Sequence, residues 1–285
     1  MFGNRFAERI FSRLALAALL CALLACATHA QIPDDPARRV FIASFGLSDA
    51  QGVFRYEAAQ AARVLGAYYG RGGETIVLPN RQAPRIPRPA AISAALMEIA
   101  ARMDKERDIL VVFMTSHGSE TGLALTERRR TAFLAPGQLA LLLDQTGVRN
   151  KVVIISACHS GVFIPLAGPR TLVITAAHAA NSSFGCDDTR KMTYFGDSLI
   201  NKSIPVTETL REAFGAARTT VARLELRDCS RRAPLTPAQY RKAVEDRACS
   251  PPSDPQIAGG EAFANELRAL PVDAATKRKL RLDVF

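Results

Sequence analysis

Two stretches, 109-ILVVFMTSHG-118 and 152-VVIISACHSG-161, decide the fold. Each starts as an uninterrupted apolar run and ends in small polar residues and a glycine. A strand with one wet face alternates apolar and polar positions, whereas a strand apolar throughout is buried on both faces. Residues 40–45 and 172–177 repeat the apolar pattern, and 75–78 gives a shorter run stopped by Pro79. Helical spacing fills the intervals. Phe54, Ala58, Ala61, Leu65 and Tyr68 line one face over 53–69, and Ile92, Ala95, Leu96, Ile99 and Met103 do so over 89–103, with Pro89 in the first turn. Residues 136–144 form a helix that stops near Gly147, and Leu210, Phe214, Ala217, Val221 and Leu224 mark another over 207–226. Residues 122–134 read as a small hairpin or loop. The chain is therefore expected to be α/β, a mostly parallel sheet with helices on both faces in three layers. Right-handed crossovers bring the C-terminal ends of such strands to one edge, where chemistry in open parallel sheets is found.

That edge receives a histidine and a cysteine. His117 follows the run 109–115, and Cys158 follows the run 152–157. The separation of 41 residues suffices for a hairpin, a helix and the return strand. A Cys after an apolar strand is ordinarily an inert packed thiol, and a His before Gly is ordinarily a turn residue. Both at equivalent strand ends point instead to a nucleophile and its base, because the imidazole holds the sulfur as the attacking thiolate. Gly118 leaves room for a substrate carbonyl, and its N–H with that of Cys158 suits an oxyanion hole. His159 is adjacent to Cys158, and consecutive extended residues point to opposite faces, so it is poorly placed as the base. His178, after 172–177, is the other rival.

Composition limits the remaining classes. The 285 residues are 48% apolar and 22% charged, which excludes bulk disorder, and the one long apolar run excludes a multi-span membrane protein. The formal charge is +10, but Lys and Arg cluster only at 128–130 and 277–279 without interleaved aromatics, so no nucleic-acid partner is expected. Arg5, Arg9 and Arg13 precede the apolar run 14–25, the pattern of an export signal over residues 1–30, too short to span a bilayer comfortably. Cleavage after Ala25, Ala27 or Ala30 fits. Leu23-Leu24-Ala25-Cys26 also resembles a lipobox, which would place a lipid anchor on Cys26. The expected location is periplasmic or secreted, free or lipid-anchored. Two of the six cysteines fall in the signal, and the other four, Cys158, Cys186, Cys229 and Cys249, show no C-x-x-C spacing, so neither a metal nor a cofactor site is expected. Three pairings exist among the last three. Residues 31–226 form the expected domain, and 227–285, polar and Pro-containing, are expected to pack loosely.

The strings around these residues resemble the legumain-type cysteine peptidases, the family of asparaginyl endopeptidases and the GPI-anchor transamidase subunit, in its bacterial secreted or lipoprotein branch. The similar strings are Val53-Phe54-Arg55, His117-Gly118, Ala157-Cys158-His159-Ser160-Gly161, the run 182–188 beginning Ser182-Ser183-Phe184-Gly185-Cys186, and Tyr194-Phe195-Gly196-Asp197. The resemblance covers residues 40–226 and implies a caspase-like fold and thiolate attack on a peptide carbonyl of a peptide or protein substrate. It implies Cys158 as nucleophile, His117 as base and Gly118 at the oxyanion hole. It also implies a pocket for the residue before the scissile bond from Arg55, Asp197, Ser182 and Ser183. An Arg and a carboxylate together would suit the two ends of an Asn amide. Two positions depart. Ser156 stands where the family has an acid, so the pocket is expected to take Asp as well as Asn. Val53 stands where the family has Asn, so the partner that orients His117 must come from elsewhere. Cleavage after Asn or Asp is the expected activity. A transamidase or ligase on the same acyl-enzyme, or a catalytically degenerate binding protein, are the alternatives. An α/β-hydrolase is excluded by the lack of a G-x-S-x-G elbow.

Overall fold

The computed structural model describes residues 38–187, 189–230, 235–265 and 267–282. The expected signal at 1–30, its cleavage sites and the lipid reading at Cys26 lie outside the described residues.

The elements follow the expected alternation: β1 (Val40–Gly46), α1 (Gly52–Tyr69), β2 (Gly72–Leu78), α2 (Pro89–Ala100) and β3 (Ile109–Thr115). A small antiparallel sheet comes next, of β4 (Gly118–Ser119), β5 (Gly122–Glu127) and β6 (Arg130–Leu134). Then come α3 (Pro136–Gln145), β7 (Asn150–Ser156), β8 (Thr171–Thr175), α4 (Leu210–Cys229), α5 (Pro237–Glu245), β9 (Gln256–Ala258) and α6 (Ala274–Leu282). The large sheet has the order β2-β1-β3-β7-β8-β9, parallel except for β9.

The continuous apolar runs are explained by two cores. Every position of β1 and β3 is buried. On one face Ile42, Phe113, Ile154 and Ile174 meet Ala61 and Leu65 of α1 and Phe214 and Val221 of α4. On the other, Phe41, Val112, Val153 and Ile155 meet Ile92 and Leu96 of α2 and Leu139 and Leu143 of α3. Each such side chain contributes roughly 1.5–3 kcal/mol by leaving water. The architecture is thus the three-layer α/β sandwich read from the sequence. Among the described residues, no helix is long and apolar enough to cross a membrane.

Three features depart from the sequence reading. First, the segment after residue 226 is not loosely packed. It supplies β9, which pairs antiparallel with β8, and Phe263, Ala264 and Leu267 enter the α1/α4 core at 1%, 1% and 2% exposure. Its mean polarity hides these few anchors. Cys229 pairs with Cys249, leaving Cys158 and Cys186 as free thiols among the described residues. Second, the helix expected from 207 starts at Leu210, because Thr209 accepts from Glu212 N–H while Glu212 Oε2 accepts from Thr209 N–H. Third, Tyr194-Phe195-Gly196 begins a helical segment that continues as a π-helix over Asp197–Ser203.

Candidate active site

The parallel register of β3 and β7 fixes the site. Thr115 lies opposite Ser156, and Ser116 N–H donates to Ser156 O at 3.3 Å. His117 and Cys158 each stand two residues beyond that rung, so the two loops leave the sheet side by side. Gly118 confirms how close they run. A Cβ there would lie 2.0 Å from Cys158 O and 3.1 Å from Ala157 Cβ. The glycine is therefore required by the Cys158 backbone itself, where the sequence reading looked to a substrate carbonyl. β4 begins at once, and Ala124 N–H donates to His117 O at 2.9 Å. His117 is thus anchored on both its strand and the small sheet.

His117 is held by α1. Its Nε2 lies 2.7 Å from Gln51 Oε1, and its ring meets the Phe54 ring edge-on with centroids 4.8 Å apart. An amide oxygen at Nε2 requires the proton there, which leaves Nδ1 as the acceptor. Gln51, the residue before α1, is therefore the orienting partner that the sequence reading left unassigned. Val53 is buried at 1% exposure.

Cys158 sits against the 182–186 segment, where its thiol points to Ser183 O at 3.5 Å. Its Sγ accepts from Ser183 N–H at 3.3 Å and lies 3.6 Å from Ser183 Oγ. Interaction with the Cys186 thiol, and with Ser183 and Ser182, pulls the Cys158 thiol well below the usual thiol range despite partial burial. The same contact pushes Cys186 up, leaving it the protonated partner. His159 adopts a left-handed backbone at φ 54°, and its Nδ1 is 2.9 Å from Ala179 O. Its ring is tied to the loop after β8. His178 is exposed and its Nδ1 accepts from Ala180 N–H.

The pocket residues are placed less uniformly. Ser183 is at the sulfur, and Ser182 is exposed beside it. Ser156 is buried at 1%, with its hydroxyl 3.0 Å from Thr193 Oγ1. Arg55 is exposed on the first turn of α1 and donates to Pro84 O at 3.0 Å. Asp197 accepts from Asn201 Nδ2 at 2.9 Å and pairs with Lys202 at 2.6 Å. Arg55 and Asp197 thus have separate partners and are not paired with each other.

One residue escaped the sequence reading altogether. Glu57 is fully buried, and its Oε2 accepts from Thr193 N–H at 2.7 Å. The hydroxyls of Ser156 and Thr115 lie close to its carboxyl, while Oε1 is buried with no hydrogen-bond partner. Burial lifts it above the usual carboxylate range, which favours the neutral acid. A Cβ on Gly196 would fall 2.3 Å from Glu57 Cδ, so the glycine of Tyr194-Phe195-Gly196-Asp197 makes room for this carboxyl. A signal existed: position 57 is three beyond Phe54, on the buried face of the helix.

Comparison with known proteins bears out the family resemblance. The model of the Peptidase C13 family, the legumain family, matches residues 94–232. That range contains His117, Gly118, Cys158, Ser182, Ser183 and Asp197; Arg55 precedes it. The match supports a cysteine peptidase of the hydrolase class. No curated protein matches the chain. Among solved structures, a secreted C11 cysteine protease from Bacteroides thetaiotaomicron, in complex with an irreversible peptide inhibitor, aligns with TM-score 0.41 at 8% identity over 65% of this chain. The present chain covers 58% of that one, less than two thirds of its length.

Proposed function

We propose, with the Peptidase C13 match as premise, that this chain is an exported cysteine endopeptidase that cleaves after Asn or Asp. The observation that carries the reading is the shared rung of β3 and β7, which sets His117 and Cys158 side by side. Ser183 N–H and the Cys186 thiol stabilise negative charge on Cys158 Sγ. The thiolate attacks the scissile carbonyl carbon, and the N–H groups of Gly118 and Cys158 receive the oxyanion. His117 Nδ1 takes the thiol proton and returns it to the departing amine. Water then resolves the thioester and regenerates the thiol.

Specificity for Asn or Asp is supported by the family resemblance and by Arg55 at the same edge as Cys158. Arg55 is exposed and donates to a neutral carbonyl, Pro84 O, so a substrate carboxamide or carboxylate can replace that acceptor at little cost. Export is supported by the basic and apolar N-terminal pattern and by the Cys229–Cys249 bridge, since disulfides persist in oxidising compartments.

The test is a peptide-library cleavage profile with a thiol-directed peptidyl probe. Cleavage after Asn or Asp is expected to exceed cleavage after Lys or Leu. Cys158→Ala is expected to abolish labelling, and labelling that persists in this variant places the nucleophile elsewhere. Intact mass of the exported protein distinguishes an acylated start at Cys26 from a free start at Thr28 or Gln31.

A further inference from the structure

We propose that Glu57 is a positioning residue, whose carboxyl clamps the ends of β3 and β7 to α1 and so holds His117 and Cys158 in catalytic register. The inference rests on the cysteine peptidase reading and names a residue that the reading does not use.

The argument starts from location. A carboxyl inside a helix–sheet interface is disfavoured relative to the apolar residues around it. Ala58, Ala61 and Leu65 occupy the same buried face of α1. Packing alone therefore gives no reason for an acid at this depth. Its partners supply one. Thr115 and Ser156, whose hydroxyls neighbour the Glu57 carboxyl, face each other across β3 and β7. Thr115 is two residues before His117, and Ser156 is two residues before Cys158. Its hydrogen-bonded partner, Thr193 N–H, stands in the segment that leads from Cys186 to Gly196. One carboxyl thus sits among the three segments that lead to His117, Cys158 and Cys186.

Its own element completes the geometry. α1 already orients the His117 ring through Gln51 and Phe54. Glu57 extends that grip from the ring to its strand and across to the neighbouring strand. Bonding geometry also fits a carboxyl that carries its proton. Oε2 is occupied by Thr193 N–H, while Glu57 Oε1 and Thr115 Oγ1 are both buried without a hydrogen-bond partner. A proton shared along this pair of atoms would satisfy both. A carboxamide offers the same arrangement, with oxygen toward Thr193 and NH2 toward the hydroxyls.

The experiment uses the full chain. Wild type, Glu57→Leu and Glu57→Gln are titrated with a peptidyl thiol-directed probe, so that kcat and KM refer to active molecules only. Displacing reacting groups by about 1 Å costs on the order of a hundredfold. Glu57→Leu is accordingly expected to lower kcat per titrated site by about that factor while KM changes by less than about threefold. Glu57→Gln is expected to restore kcat to within about fivefold of wild type. A purely structural role predicts otherwise: fewer active molecules and a lower Tm, with kcat per titrated site unchanged. That outcome overturns the proposal, as does a Glu57→Gln variant no better than Glu57→Leu. If Glu57→Leu does not fold, Thr115→Val, which removes one neighbouring hydroxyl and keeps the carboxyl, is measured in its place with the same expectation for kcat and KM. Alkylation of Cys158 by iodoacetamide needs no peptide turnover and separates the two levels of inference. If wild type cleaves no peptide, the peptidase reading fails. An alkylation rate and pH profile identical in wild type and Glu57→Leu then also overturns the role of Glu57, and a displaced profile upholds it.

Discussion

Gly118→Ala tests the closeness of the two catalytic loops directly. The new Cβ would lie 2.0 Å from Cys158 O, whereas carbon and oxygen in van der Waals contact stay beyond about 3 Å. The two backbones must therefore part by about 1 Å, and the 3.1 Å approach to Ala157 Cβ blocks movement in that direction. Gly118 does not have a positive φ, so the strain is steric and cannot be relieved by a change of rotamer. Overpacking of this kind typically costs about 1–3 kcal/mol, which in a chain of this length lowers Tm by about 2–4 °C per kcal/mol. Catalysis should suffer more than stability. A shift of about 1 Å in the nucleophile relative to its base and oxyanion donors costs on the order of a hundredfold in kcat/KM. Peptide turnover and iodoacetamide alkylation of Cys158 are measured beside a thermal melt. Gly52→Ala is the control, since nothing lies within 4 Å of its would-be Cβ. A Gly118→Ala protein with the turnover, alkylation rate and melting behaviour of wild type would refute the claim that the loops abut.

Other predictions probe other parts of the structure. Cys186→Ala removes the leading donor to the Cys158 thiolate, so the pH at which alkylation of Cys158 reaches half its maximum should rise; an unchanged midpoint would dismiss Cys186 as that donor. Gln51→Ala leaves His117 Nε2 without its 2.7 Å partner and should lower kcat by about tenfold, with much less effect on KM; equal losses in both would point to substrate binding instead. Glu57 has a raised pKa in the folded protein, so the folded state holds a proton that the unfolded chain releases, and stability falls as pH rises above the ordinary carboxylate range. Melts of wild type against Glu57→Gln should therefore diverge in favour of Gln as pH increases, and a constant difference would mean that Glu57 does not retain its proton. Truncation before Ser253 removes β9 and the buried Phe263; loss of an aromatic alone costs about 3–5 kcal/mol, so cooperative unfolding should be lost or strongly weakened, which circular dichroism would register.

The sheet was legible because burial on both faces leaves a plain trace, an apolar run without alternation. The runs before His117 and Cys158 therefore indicated both the strands and the edge at which the two residues emerge. What was not legible depended on distant partners. Gln51 meets His117 across 66 residues, and Glu57 meets Thr193 across 136, and no local pattern announces either contact. Asp197, which the resemblance sets with Arg55 around a substrate side chain, bonds Asn201, four residues along the same helical segment. β9 is three residues long, too short for any periodicity to develop between Pro255 and Gly259.

The brevity and reversed direction of β9 bear on how copies of this protein behave toward one another. A parallel sheet ending at β8 would offer a full-length row of unsatisfied amides and carbonyls, a template on which a second chain could assemble. β9 occupies that row at Val173, Ile174 and Thr175. It then leaves only a three-residue margin of its own, bounded by Pro255, which has no amide hydrogen to donate, and by Gly259 at φ 76°. β9 therefore closes the side of the sheet along which strands would otherwise continue to add.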